Sequence, residues 1–287
     1  MIYKILITGA NGQLGYELQQ LLSKNVNYEL FFTDIDSLDI TDPDAVNDLF
    51  KNINLDFIIN TAAYTAVDKA EIEKDIAEKV NVTAVKNLAL CAKNYNAKMI
   101  HISTDYVYDG NKSSPYVESD STNPLGYYGY SKLLGEREML NIAPKGVIIR
   151  TSWLYSTHGN NFVKTIINKA LNENQNLQVV YDQIGTPTYA RDLANCINLL
   201  IKNFDFNQTE IFHFSNEGVA SWYDFAYAIL KIIKVDKKIF PIETHQIQQL
   251  AERPKYSVMS KNKIKSTLNV TIPHWCDSLI EMINHLK

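Results

Sequence analysis

The sequence predicts an α/β fold, a doubly wound parallel sheet with a smaller C-terminal α/β lobe, and three observations carry that prediction. Short, continuously apolar runs alternate with helical patterns through most of the chain. A glycine-rich turn follows the first of these runs directly, and after about Asn216 the texture changes to helices with shorter strands. Apolar strands separated by helices imply a parallel sheet covered on both faces, because the helices that connect parallel strands pack back onto it.

The elements follow in order. The first strand is "KILIT", then come a helix from Leu14 to Ser23 and the strand "ELFFT". A helix starts at about Pro43, where "TDPDAV" offers a Thr or Asp cap before a proline whose missing N–H is not needed in the first turn. "FIIN" is the third strand, a long helical stretch runs to about Asn94, and "KMIHIST" is the fourth strand. A helix around Tyr128 to Leu140, the strand "GVIIRTS" and a helix near Phe162 to Leu171 come next, then "LQVVY", the helix "ARDLANCINLLIK" and the strand "EIFHFS". In "SWYDFAYAILKII", Ser221 and Asp224 have capping-box spacing. This assigns residues 1–150 and about 177–215 to the sheet domain, and about 151–176 and 216–287 to the lobe. Ligands of doubly wound sheets lie beyond the carboxyl ends of the strands, so the cleft between the two parts is the expected site.

Composition narrows the function. With 287 residues, 46% of them hydrophobic, the chain can bury a sizeable core. Twenty-eight basic residues against 32 acidic ones give a charge of −4, which argues against nucleic acid as a partner. Lys261, Lys263 and Lys265 read as a solvated face. Cys91, Cys196 and Cys276 are solitary, as expected of free thiols in a reducing compartment. The six histidines form no H-x-x-x-H pair, so no metal site is expected. No apolar run reaches the 18 residues of a membrane span, and "MIYKILITG" enters the glycine motif without a cleavage-like region, so a cytoplasmic protein with no membrane partner is expected.

"ITGANGQLG" sets Gly9, Gly12 and Gly15 between the first strand and the first helix. A dinucleotide needs a tight turn there, a backbone that can approach its pyrophosphate, and amides at a helix N-terminus pointing at that charge. The sheet domain is therefore read as Rossmann-type. Asp34, at the end of the second strand, is placed to accept hydrogen bonds from the adenosine ribose. Neither "GANGQLG" nor "TDIDSLDITD" contains a cation for a 2′-phosphate, which favours NADH, although a site built on backbone also admits NADPH.

Three Tyr-x-x-x-Lys pairs occur in the chain, where chance provides about one or two, so spacing alone does not choose among them. Tyr108 and Lys112 span a turn, and Tyr227 with Lys231 reads as a core tyrosine beside a surface lysine on an amphipathic helix. Tyr128 and Lys132 open a helix, one turn apart on one face. A cation about 4 Å from the phenol is expected to lower its pKa by two or three units. Ser103 and Thr104, at the carboxyl end of "MIHIST", set this pair apart by offering hydroxyls to a ketone oxygen.

The glycine loop, the hydroxyl-bearing strand end and the Tyr-Lys pair, in that order, resemble the extended short-chain dehydrogenases. "INTAAYTAVDKAE", "NVTAV", "STDYVYDG", "YYGYSKLLGE", "RTSWLY", "GNNFVKTI", "DQIGTPTYARDLA" and "ERPKYS" narrow the resemblance to the dTDP-4-dehydrorhamnose reductases, from Lys4 to about Ser257. That family implies a catalytic role for Thr104, Tyr128 and Lys132, with Asn81 steadying the site. It implies cofactor contacts from Gly9, Asn11, Gly12, Gln13, Leu14 and Gly15, from Asp39 and Ile40 beside the adenine, from Ala62, Ala63 and Tyr64, and from Tyr128 and Lys132. It implies sugar contacts from Thr104, Asp105, Tyr128 and Trp153. Arg253 is assigned to the substrate diphosphate, because a guanidinium fork matches phosphate oxygens. Thr61 and Tyr108 depart mildly from the family's Ala and Phe.

The implied partner is a nucleotide sugar, dTDP-4-dehydrorhamnose, and the implied cofactor NADH or NADPH. The sequence does not say whether two chains form a homodimer. A 4,6-dehydratase would have a glutamate base where Tyr106 stands. A 4-epimerase that retains its cofactor, or a non-catalytic NAD(P)-binding regulatory subunit, are the other readings.

Overall fold

The computed structural model describes residues 2–286. Six strands form one parallel sheet: β1 (Tyr3–Thr8), β2 (Tyr28–Thr33), β3 (Phe57–Asn60), β4 (Lys98–Thr104), β5 (Gly146–Thr151) and, much later in the chain, β10 (Thr209–His213). Their order is β10-β5-β4-β3-β1-β2, so the winding reverses between β1 and β3, where a doubly wound sheet opens its crevice. The alternation of the strands explains the burial on both sides. Ile5 and Ile7 face a core shared with Leu14 and Leu18 of α1 (Gln13–Leu22) and Leu193 and Ile197 of α8 (Ala190–Asn203). Leu6 points the other way, to Val46 of α2 (Pro43–Asn52) and Leu88 of α5 (Ala84–Asn94). Each such fully buried side chain stabilises the fold by about 1.5–3 kcal/mol.

Local signals behave as the sequence predicts at two helix starts. Asp42 caps α2 by accepting from the amides of Asp44 and Ala45, and α9 (Trp222–Ile233) carries the Ser221–Asp224 capping box. The long helical stretch before Asn94 is instead broken into α3 (Val67–Ala70), α4 (Lys74–Glu78), a wide π-type turn over Lys79–Thr83, and α5. The turn holds Asn81, whose side chain is committed elsewhere.

The lobe contains α7 (Phe162–Asn172), β7 (Leu177–Val180), α9, β12 (Ile239–Ile242) and α11 (Trp275–His285), built around Val163, Ile166, Phe225, Ile229 and Leu279. Here β7 pairs with β12 and packs in the lobe's core, not in the six-stranded sheet where the sequence reading put it. An apolar strand signals burial without naming its partner. Lys261 also departs from expectation: it is 7% exposed and sits by Glu217, so the lysine run is not a uniformly solvated face. No helix among the described residues is long and apolar enough to cross a membrane.

Candidate active site

The glycine loop fits a dinucleotide on steric grounds. Gly9 adopts a left-handed conformation (φ +66°), and a Cβ at Gly15 would lie 2.4 Å from the Gly9 carbonyl oxygen. Gly12 starts α1 without a side-chain cap, which leaves first-turn amides free for an anion. One cavity runs from this loop past Asp34, Asp39, Ile40, Ala62 and Tyr64. Asp34 accepts from the Asn11 amide at 3.0 Å, so it also fixes the loop. The hydroxyl and amide of Thr41 hold the Asp39 carboxyl below its ordinary range, and the charge of Lys79 adds to this. Lys79 is a cation near Asp39 that the two quoted motifs did not reveal.

A second cavity adjoins the first and shares Gly12, Thr61 and Ala63 with it. It brings together Gln13, Leu14, Thr104, Asp105, Tyr128, Lys132 and Trp153. Thr104 ends β4, and its hydroxyl accepts from the Tyr106 amide (3.2 Å) and donates to Asp105 Oδ1 (3.1 Å). Asp105 Oδ2 is buried with no hydrogen-bond partner, and burial pushes this carboxyl up to about 6. Tyr128 and Lys132 lie in the first turns of α6 (Tyr127–Ile142), whose opening amide, on Tyr127, donates to Glu71 Oε1 at 2.6 Å. Trp153, with φ of 46°, stacks on Trp222 at 3.7 Å and thus joins this cavity's wall to the lobe.

Asn81 lies behind the cavity. Its Oδ1 accepts from the Tyr64 amide (2.9 Å), and its Nδ2 donates to the Tyr64 carbonyl (3.1 Å) and to Ser131 Oγ (2.9 Å). It therefore ties the segment after β3 to α6. The two backbones approach so closely that a Cβ at Gly135 would stand 2.1 Å from the Asn81 carbonyl oxygen.

One expectation is corrected. Lys132 does not lower Tyr128: its Nζ donates to the Ile102 carbonyl at 2.7 Å, and burial pushes the phenol up to about 12, against the Thr104 hydroxyl, which pulls it down. Lys132 is itself 2% exposed, and burial brings its ammonium down to about 8. The helical spacing was right, but a lysine chain long enough to reach the phenol also reaches a strand carbonyl. Arg253 does not line the Tyr128 cavity. It lines a third one beside Lys169 and Trp222, which meets the second at Tyr106, and its guanidinium is already paired with Asp68 at 2.7 and 2.5 Å. That pair holds the Asp68 carboxyl well below the usual carboxylate range. Glu71, Ser131, Ile102 and Trp222 support the site without having been singled out, since each acts through a contact distant in sequence or through backbone.

Comparison with known proteins agrees with this architecture. The chain is 42% identical over 281 residues to the dTDP-4-dehydrorhamnose reductase of Aggregatibacter actinomycetemcomitans, covering 95% of each chain. It superimposes on a dTDP-4-dehydrorhamnose reductase structure from Clostridium acetobutylicum with a TM-score of 0.94 at 44% identity, covering 99% of both chains. It matches the Bacillus anthracis dTDP-4-dehydrorhamnose reductase, solved in complex with NADP, with a TM-score of 0.94 at 38% identity, covering 99% of this chain and 100% of that one. The family model described as RmlD substrate binding domain matches residues 3–287, and the chain belongs to that family.

Proposed function

We propose that this chain is an NAD(P)H-dependent reductase that converts the C4 ketone of dTDP-4-dehydro-L-rhamnose into the hydroxyl of dTDP-L-rhamnose. The observation that carries the reading is that Thr104, Tyr128 and Lys132 line a cavity continuous with the glycine-loop cavity. The glycine loop, Asp34, Asp39, Ile40 and Ala62 to Tyr64 would hold the cofactor, and a bound nicotinamide supplies the hydride.

The chain's own part is to hold the ketone and supply the proton. A phenol at about 12 keeps its proton at neutral pH, so Tyr128 is in the right state to give it to an alkoxide. Thr104 orients the same oxygen once its hydroxyl exchanges Asp105 for substrate. Lys132, seated on the Ile102 carbonyl, holds the cofactor ribose, and its charge stabilises the phenolate that forms. Trp153 and the free oxygen of Asp105 contact the sugar, and Asn81 steadies the segment between. Arg253 reaches the diphosphate only by loosening its pair with Asp68.

On this reading the sheet domain takes the cofactor and the lobe takes the nucleotide sugar. NADH is the preferred donor because Asp34 faces the ribose, and Lys79 gives NADPH a foothold. A cytoplasmic location fits a soluble cofactor, and a homodimer is testable by sedimentation. The deciding experiment mixes the chain with dTDP-4-dehydrorhamnose and NADH or NADPH and follows absorbance at the nicotinamide band. Ketone-dependent cofactor oxidation is expected, with the lower KM for NADH. No oxidation with either cofactor would falsify the reading.

A further inference from the structure

Below the site, a row of buried polar side chains crosses the sheet. Thr8 on β1 is the register partner of Asn60 on β3, and Asn60 is the partner of His101 on β4. Thr8 Oγ1 donates to Asn60 Oδ1 at 2.7 Å, the Asn60 amide nitrogen lies 3.1 Å from His101 Nδ1, and His101 Nε2 lies 3.5 Å from Lys132 Nζ. Thr8 is 1% exposed, Asn60 and His101 are 0%, and Lys132 is 2%. Polar groups this deep cost stability unless they are fully paired, and apolar side chains would serve the sheet as well at all three strand positions.

The row does not conduct protons. It starts at a buried threonine, and an asparagine amide does not pass a proton from one side to the other. What it provides is a fixed ring. The Asn60 amide can be satisfied in either rotation, because the Thr8 hydroxyl both donates and accepts. An ammonium only donates, so Nε2 facing Lys132 must be the acceptor and Nδ1 the donor, which calls for the Asn60 amide turned half round from the orientation given above, with its oxygen toward His101. We propose that His101 is a positioning residue: its imidazole, fixed by Asn60 and Thr8, works with the Ile102 carbonyl to seat the Lys132 ammonium in the floor of the site. Burial, then the charge of Lys132, holds His101 well below its ordinary pKa, so the ring stays neutral and keeps its lone pair. Glu136, one turn along α6, also acts on Lys132, but Arg150 holds it in an ion pair at 2.6 Å.

This inference rests on the reading of Lys132 as a cofactor-holding group, and its test separates the two. Asn at position 101 keeps a polar atom near Nδ1 and removes the one that faces Lys132, whereas Gln reaches the Nε2 position. With His101→Asn, NADH Kd is expected to rise and kcat to fall, each by about tenfold, the size of one lost hydrogen bond to a charged group, with KM for the sugar nucleotide within about twofold. His101→Gln is expected to recover both to within about threefold of the parent. If His101→Asn lowers only Tm, or His101→Gln recovers nothing, the proposal is overturned. Should His101→Asn not fold, the ¹⁵N resonance of His101 Nε2 decides: it is expected to move in Lys132→Met, and an unchanged resonance overturns the proposal. A parent chain that binds NADH but turns over no dTDP-4-dehydrorhamnose would count against the proposed function, while the Kd comparison would still decide the role of His101.

Discussion

Helices α6 and α9 both carry a tyrosine followed four residues later by a lysine, and the two pairs have little else in common. On α6, Tyr128 faces a cavity beyond a strand end, and Lys132 is buried against a strand carbonyl. On α9, Tyr227 is 45% exposed, with the Lys231 nitrogen 5.1 Å above its ring, and the helix packs through Phe225, Ala226, Ile229 and Leu230 instead. Tyr227 is therefore not the core residue its amphipathic helix suggested. Spacing four apart makes two side chains neighbours on any helix. Chemistry depends on what the helix start abuts: α6 opens at the end of β4, with Thr104 and Asp105, whereas Tyr227 lies mid-helix beside Tyr223 and Lys231.

The sharpest way to break this contrast is to remove both phenols. Tyr128→Phe is expected to cost up to about 10⁴-fold in kcat, the upper range for a positioned acid, with NADH Kd unchanged, and Tyr227→Phe to stay within about twofold. Comparable losses in both variants would dissolve the distinction. Next comes burial of charge on α6. Glu136 is 1% exposed, accepts from Arg150 at 2.9 and 2.6 Å and from Ser103, and leaves Arg150 unpaired if neutralised. Glu136→Gln should therefore lose about 3–4 kcal/mol in urea denaturation. A loss below about 1 kcal/mol would mean that the network relaxes around the change.

Asp105 gives a smaller, pH-dependent effect. Its folded pKa of about 6 lies above the unfolded value near 3.9, so the fold disfavours the ionised form. The penalty is absent below about pH 4, grows between 4 and 6, and is complete above. Asp105→Asn should match the parent in thermal melts near pH 4 and exceed it by about 2–3 kcal/mol at pH 8. An equal gap at both pH values would count against burial as the cause. Smallest of all, Lys231→Ala should change stability by no more than about 0.5 kcal/mol, as expected of a solvent-facing cation over a ring.

Local signals in the sequence were the readable ones. The glycine loop, the caps at Asp42 and Ser221, the strand cores and the Tyr128–Lys132 spacing are all set by residues within a few positions of one another. What the sequence did not reveal depends on distant partners. Arg253 meets Asp68 across 185 positions, and β7 chooses β12 over the central sheet. Lys132 turns to a backbone carbonyl, which no residue type encodes. Asn81 could be picked out by resemblance, but the wide turn that aims it could not, because the residues of "KVNVT" carry no signal that separates it from ordinary helix.

That wide turn makes this stretch sensitive to length. A regular helix advances about 100° per residue, so taking out one residue between Ala77 and Ala84 would restore even winding and swing Asn81 away from Tyr64 and Ser131. Exposed positions such as Glu78 and Thr83 tolerate other side chains, but an indel would uncouple the segment after β3 from the helix that bears the phenol.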